Sequence, residues 1–207
     1  SFMKNDLIMP AYIIVLGTTY SGSGAVYDYL SGRGDLHDPL KGVEYQLPHM
    51  PNGLMTIEAI AEKSFHPPTA DFVLSQFQII IDKLSKTPTI YRYGKNYEKM
   101  LPSFKIETRK FIEDITSAKL PMNLHWRQLM KSDSNVGYFV SKLKHFLRLR
   151  EPTPITRILV SQEKFIKAAQ NFHDRIFLKD AEDRPVLINQ GGSGWNPHES
   201  TKYYNNS

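Results

Sequence analysis

The chain has 207 residues, 41% of them hydrophobic, no cysteine, and 26 Lys plus Arg against 21 Asp plus Glu, a formal net charge of +5. That length and apolar content fit one good-sized globular domain and exclude a largely disordered chain, while the absence of cysteine excludes disulfides and thiolate metal sites and fits a reducing, cytoplasmic compartment. The positive balance favours anionic partners, but no run reaches the roughly 20 apolar residues of a membrane span, and no nucleic-acid-binding module is legible.

Ser1-Phe2 ahead of Met3 read as residues left from cloning and are set aside. The run Tyr12 to Leu16 is uncharged and rich in β-branched residues, which predicts a strand buried on both faces, as parallel sheets require. Gly17 ends it, and a loop rich in glycine and serine follows. Ala25, Val26, Tyr29 and Leu30 then fall on one face of a short helix stopped by Gly32 and Gly34. The loop therefore sits at a helix N-terminus, where backbone N–H groups and the helix dipole attract an anion.

Residues 31–53 are rich in Gly, Pro, Asp and His, and their one strand candidate is Val43 to Leu47. Arg33-Gly34-Asp35 reads as a polar turn. On an extended segment Glu44 points away from Val43 and Tyr45, into a cleft above the sheet edge, and it is the first candidate for a general base, with His37 and His49 flanking it. A helix is predicted from Gly53 to Lys63. A longer one follows Pro67-Pro68, capped by Thr69 or Asp71, with Val73, Phe77, Ile80, Ile81 and Leu84 on its core stripe.

Residues 89–150 are the least regular and read as a mostly helical insertion between two parts of an α/β core, 11–88 and 151–207, of a single domain. Helical patterning runs from Tyr97 to Ala118, with Pro102 set to kink or delay it. Tyr91, Tyr93, Tyr97, His125, Trp126 and Arg127 offer aromatic and polar surface suited either to sugars or to the insertion's own core. The densest basic cluster, Lys142, Lys144, His145, Arg148 and Arg150, reads as a solvated helix face. Beyond Glu151-Pro152-Thr153-Pro154 come a strand at Ile155 to Val160 and a helix capped by Ser161, with Phe165, Ala168, Ala169, Phe172 and Ile176 inward. A last strand, Val186-Leu187-Ile188, leads to Asn189, Gln190 and a glycine-rich loop holding Trp195. Ligands of open α/β sheets sit at the carboxyl ends of the strands, so these three are candidate substrate contacts.

Against the phosphate loop of nucleotide hydrolases, Gly17 and Gly22 have the right gap, but Ser23 replaces the lysine and Gly24 the magnesium-binding hydroxyl. The loop is left to cradle a phosphate through Ser21, Ser23 and backbone amides, with no metal. The stretch Gly17-Thr18-Thr19-Tyr20-Ser21-Gly22-Ser23-Gly24-Ala25-Val26, followed by Tyr27-Asp28-Tyr29-Leu30, resembles the 5′-phosphosulfate loop of sulfotransferases that use 3′-phosphoadenosine-5′-phosphosulfate (PAPS). Lys41-Gly42-Val43-Glu44-Tyr45 is similar to a segment of several glycan sulfotransferases. Pro185 to Gln190, then Asn196-Pro197 and Lys202-Tyr203-Tyr204, are similar to bacterial members. Only the loop is specific to the family.

The resemblance implies a P-loop-type open parallel sheet flanked by helices. It implies transfer of a sulfuryl group from PAPS to a hydroxyl or amine of a glycan or polysaccharide, without a metal. On that reading Thr19, Tyr20, Ser21, Gly22, Ser23, Gly24 and Ala25 hold the cofactor, Glu44 or His49 deprotonates the acceptor, and Lys41 stabilises the leaving charge. Tyr20 stands where the family has Lys or Arg, and Lys41 is the candidate replacement. The family continues into a strand carrying an arginine and then a serine for the 3′-phosphate, which this sequence, ending at Ser207, does not contain; either the sequence is truncated short of that half-site or the resemblance is partial. The alternatives are a non-catalytic nucleotide- or phosphate-binding module and a nucleotide kinase, the latter lacking its lysine and hydroxyl.

Overall fold

A computed structural model of the chain describes residues 12–18, 20–63, 66–122, 124, 153–191 and 196–205. Its elements are β1 (Tyr12–Gly17), α1 (Ser23–Ser31), α2 (Leu54–Lys63), α3 (Pro67–Ser85), α4 (Tyr97–Met100), α5 (Phe104–Asp114), β2 (Thr116–Pro121), β3 (Ile155–Leu159), α6 (Gln162–Phe177), β4 (Val186–Gly191) and α7 (Pro197–Thr201). The architecture is mixed α/β. β1 and β4 run parallel, with Tyr12 opposite Val186 and Gly17 opposite Gly191. β2 and β3 form a separate antiparallel pair with an irregularity between Thr116 and Ala118.

The parallel pair is covered on both faces, which explains its uninterrupted apolar run. Tyr12, Ile14, Val186 and Ile188 face the main core, and Ile13, Val15 and Leu187 face Tyr27 and Leu30 of α1 and Leu36 beyond it. On its free side β4 is bordered by a broken third chain segment. The His37 N–H donates to Pro185 O, Leu187 N–H to His37 O, and Tyr45 N–H to Asn189 O at 2.7 Å. The Val43 to Leu47 strand candidate thus forms no strand and makes one backbone bond to β4, not a full ladder.

The main core is aromatic. Phe111 lies 5.2 Å from Phe172 and 5.8 Å from Phe165, centroid to centroid, in the tilted and edge-on arrangements that ring quadrupoles favour. Residues of the 89–150 stretch therefore share a core with α6. The patterning from Tyr97 to Ala118 resolves into α4 and α5, broken at Leu101 to Ser103 around Pro102, and gives way to β2 at Thr116. β3, expected in the parallel core, instead pairs antiparallel with β2.

α3 begins earlier than expected. Its N-cap is His66, whose Nδ1 accepts from the Thr69 N–H at 3.4 Å and the Thr69 hydroxyl at 2.6 Å. Pro67 and Pro68 occupy the first turn, where a missing N–H costs nothing, so Thr69 and Asp71 lie inside the helix. Of its predicted stripe Val73, Phe77, Ile81 and Leu84 are buried, and Ile80 packs partly buried against them. All five predicted inward residues of α6 are buried.

A buried ionic knot fastens α2 to the C-terminal segment. The Glu58 carboxylate accepts from Lys202 Nζ at 2.7 Å, the Tyr203 hydroxyl at 2.5 Å and Gln162 Nε2 at 2.8 Å. Nearby, buried His173 donates from Nδ1 to Tyr203 O at 2.8 Å, which leaves Nε2 to accept the Tyr45 hydroxyl at 3.0 Å. Among the described residues no helix is long and apolar enough to cross a membrane.

Candidate functional site at the carboxyl end of the parallel strands

β1 delivers Gly17 to the carboxyl end of the pair, and the chain turns through Tyr20 (φ 63°) and Gly22 (φ 79°) into α1. The left-handed conformation at Gly22, the N-cap position, is one that glycine adopts without strain. The Ala25 and Val26 N–H groups bond back to Gly22 O, so the amides of Ser23 and Gly24 have no acceptor within the helix. Both loop serines fold back over Gly17. A Cβ there would overlap Ser23 Oγ and stand 2.7 Å from Ser21 Oγ, so only glycine lets the hydroxyls meet above the strand end.

The carboxylate of Glu44 comes to the same place from the loop segment that borders β4. A Cβ at Gly191 would overlap Glu44 Oε1 and lie 2.9 Å from Cδ, so the carboxylate rests on the bare backbone of that glycine. Gly17 and Gly191 are register partners, and partners in a parallel pair present their side chains to the same face. The Ser21 and Ser23 hydroxyls and the Glu44 carboxylate therefore gather on one face at one end of the sheet.

Glu44 is held by its neighbours. Its carbonyl accepts the Tyr97 hydroxyl at 2.6 Å, and that hydroxyl in turn accepts the Gln46 N–H at 3.2 Å. Oε2 receives Gln46 Nε2 at 3.3 Å. His49 is half-buried; burial holds its imidazole below the usual histidine range, and the Glu44 charge acts against that shift. The turn leading to Glu44 is fastened to α1: the Tyr27 hydroxyl donates to Asp38 Oδ2 at 2.5 Å and accepts the Gly42 N–H at 2.8 Å.

The remaining sequence candidates divide. Gly22, Gly24 and Ala25 are exposed along the loop and first turn, beside Tyr20. Lys41 is exposed in the 38–42 turn with φ 47°, and its backbone N–H donates to Asp38 Oδ1 at 2.9 Å. Asn189 lies on the face shared with Gly191 and is half-buried. Gln190 points the other way, fully buried, with the Tyr204 hydroxyl 2.7 Å from its Oε1. His37 pairs with Val186, at the far end of β4 from Gly191. Thr19 and Trp195 lie outside the described residues, as do His125, Trp126 and Arg127. Tyr97 is buried, whereas Tyr91 and Tyr93 are exposed, Tyr93 with its hydroxyl on Gln46 Oε1.

Sequence reasoning missed Tyr27, Gln46 and Gly191. The face of α1 carrying Ala25, Val26 and Tyr29 is exposed, Val26 by 54% and Tyr29 by 73%, and the sheet is met by Ser23, Tyr27 and Leu30. That second stripe was visible as a four-then-three spacing. The Gly191 signal was weaker, the first glycine of a glycine-rich loop that ends an apolar run. Among the described residues no group of three or more His, Asp or Glu is arranged to hold a metal ion. No protein-family model, curated protein or solved structure matches this chain.

Proposed function

We propose that the chain is a sulfotransferase-like protein that moves a sulfuryl group from PAPS to a hydroxyl or amine of a glycan. The observation that carries this reading is the meeting of two loop serines and a carboxylate over paired glycines at the carboxyl end of parallel strands. Anions bind where helix-terminal amides and small residues permit close approach, and here the Ser21 and Ser23 hydroxyls and the Ser23 and Gly24 amides suit a phosphosulfate group. PAPS, when bound, supplies the sulfuryl group for in-line displacement.

Glu44 has the placement of a general base. It takes the proton of the acceptor hydroxyl or amine as the new bond to sulfur forms and the old bond to the phosphate oxygen breaks. His49 is the second candidate base: burial lowers its imidazole from the usual range, and the Glu44 charge works against that shift. Lys41, exposed in the 38–42 turn with its backbone N–H on Asp38 Oδ1, is the candidate cation for the leaving charge.

Exposed Tyr20, in the place of a basic residue, favours a second reading: a phosphate-binding module without turnover. Calorimetric titration of the protein at its full natural length with adenosine 3′,5′-bisphosphate, against ADP with magnesium, separates these readings from a nucleotide-handling one. The proposal expects the bisphosphate to bind at least about tenfold tighter, about 1.4 kcal/mol. Preference for ADP defeats it; bisphosphate binding with no transfer to any glycan acceptor leaves the binding module.

A further inference from the structure

We infer that Gln46, backed by Tyr93, is the positioning residue that selects Oε1 of Glu44 as the proton-accepting atom and couples it to the surface turn 89–93. The inference rests on the reading of Glu44 as the base. Residues 44 and 46 are half-buried with their side chains bonded to each other, whereas Tyr45 between them is buried in the aromatic core. An ionised carboxylate can only accept hydrogen bonds. The 3.3 Å contact from Gln46 to Glu44 Oε2 therefore requires the amide to present its NH2 group to the carboxylate and its oxygen outward. That oxygen lies 3.3 Å from the Tyr93 hydroxyl, which is then obliged to donate.

The directions along this chain are thus set from one end by the charge of Glu44. Behind both residues, the buried Tyr97 hydroxyl clamps the Glu44 carbonyl and the Gln46 N–H, which keeps the two side chains in register. With Oε2 occupied by the amide, Oε1 is left over Gly191, on the serine side of the sheet end.

The outer end of the relay gives it a second consequence. Tyr93 directly follows the turn closed by mutual hydrogen bonds of Thr89 and Arg92, whose tip presents Ile90 and Tyr91 almost fully to solvent. An acceptor with a ring face and hydroxyls, as a sugar has, can lie on Tyr91 and compete for the Tyr93 hydroxyl. It would then change the hydrogen bonding of Gln46, and through it the base. The turn is in this way a sensor of acceptor binding as well as part of its platform.

The test uses the full chain, labelled with nitrogen-15, and the side-chain amide resonances of Gln46, assigned as the pair missing from Gln46→Leu. Glu44→Gln and Tyr93→Phe are each expected to move that pair, since each removes one of its two partners. In transfer assays Gln46→Leu should lower kcat roughly tenfold with the KM for PAPS unchanged, and Gln46→His, which keeps an N–H directed at Oε2, should recover most of it. Amide resonances indifferent to both Glu44→Gln and Tyr93→Phe overturn the relay. Undiminished kcat in Gln46→Leu overturns the positioning role. Failure of the unsubstituted protein to bind the bisphosphate defeats the transferase reading by itself, and the amide spectra still decide the relay.

Discussion

Gly17 and Gly191 are partners in one register and give a matched pair of tests, because each is bare for a different occupant. Gly17→Ala drives a methyl into the Ser21 and Ser23 hydroxyls and should abolish bisphosphate affinity, with overpacking costing about 1–3 kcal/mol of stability in urea denaturation. Gly191→Ala displaces only the Glu44 carboxylate, so bisphosphate binding should survive while transfer falls by at least about tenfold. Equal loss of binding in both variants would contradict the division of labour between the two glycines. At the same scale, His173 makes stability depend on pH. Burial pushes its imidazole down to about 4, and the bond from its Nδ1–H to Tyr203 O works against that shift without reversing it. The unfolded histidine titrates near 6.5, so between these values the unfolded chain binds the extra proton. His173 therefore contributes fully above about pH 6.5 and its contribution is lost as pH falls toward 4, up to about 3 kcal/mol. Thermal melts across that window should show His173→Phe flatter than the parent chain.

Among the elements, α1 gives the sharpest test of packing. Its Ala25, Val26 and Tyr29 face solvent and its Tyr27 is tied to Asp38 and Gly42, so Val26→Ser should change stability by no more than about 0.5 kcal/mol. Phe111→Ala, at the contact of α5 with α6, should cost about 3–5 kcal/mol in the same urea measurement. The link between α2 and the C-terminal segment behaves differently because it is ionic. Burial alone would raise the Glu58 carboxyl, but its bonds from Lys202, Tyr203 and Gln162 outweigh that and hold it below the ordinary carboxylate range. Its stabilisation is therefore complete above roughly pH 4.3, the usual glutamate value, and lost as pH falls through the lower folded value. Lys202→Met leaves that carboxylate buried without its cation and should cost about 3 kcal/mol at neutral pH. The cost should shrink in acid, where Glu58 is neutral in both chains.

For the molecule as a whole, the strands that meet are far apart in sequence: β1 pairs with β4 across most of the chain, and Tyr12 reaches Asp174 at 2.7 Å. The site is composite for that reason, with the serines arriving after the first strand, Glu44 from a loop, and Gly191 from the last strand. Long-range pairing of this kind commits the ends late in folding. Ligands that grip the loop should accordingly stabilise the fold as a unit, by about 2.7 kcal/mol at a hundredfold excess over Kd. A melting temperature that rises with bisphosphate concentration and stays fixed with equal concentrations of magnesium ADP is the expected pattern.

The sequence alone determined those features whose physics is local. An uncharged β-branched run cannot rest at a surface, so β1 and β4 were legible, and 3.6-residue apolar spacing made the inward stripes of α3 and α6 legible, though not the flanking buried residues Ala70, Leu74, His173 and Phe177. The glycine and serine loop declared its position at a helix start for the same reason. Tertiary structure decided everything that depends on which surfaces meet. Two stripes of α1 had helical spacing, and only the reach of Tyr27 to Asp38 and of Ser23 to Gly17 chose between them. β3 was readable as a strand but not as antiparallel, because strand direction is set by its partner β2 and not by its own residues. Gln190 and Asn189 are adjacent and alike in chemistry, yet the pleat turns one toward Tyr204 in the core and the other toward the face of Glu44. Glu44 stood out as a carboxylate on an extended segment; that it rests on Gly191, with Gln46 on one oxygen, follows from contacts 147 and 2 residues away in the chain, of which local pattern shows only the second.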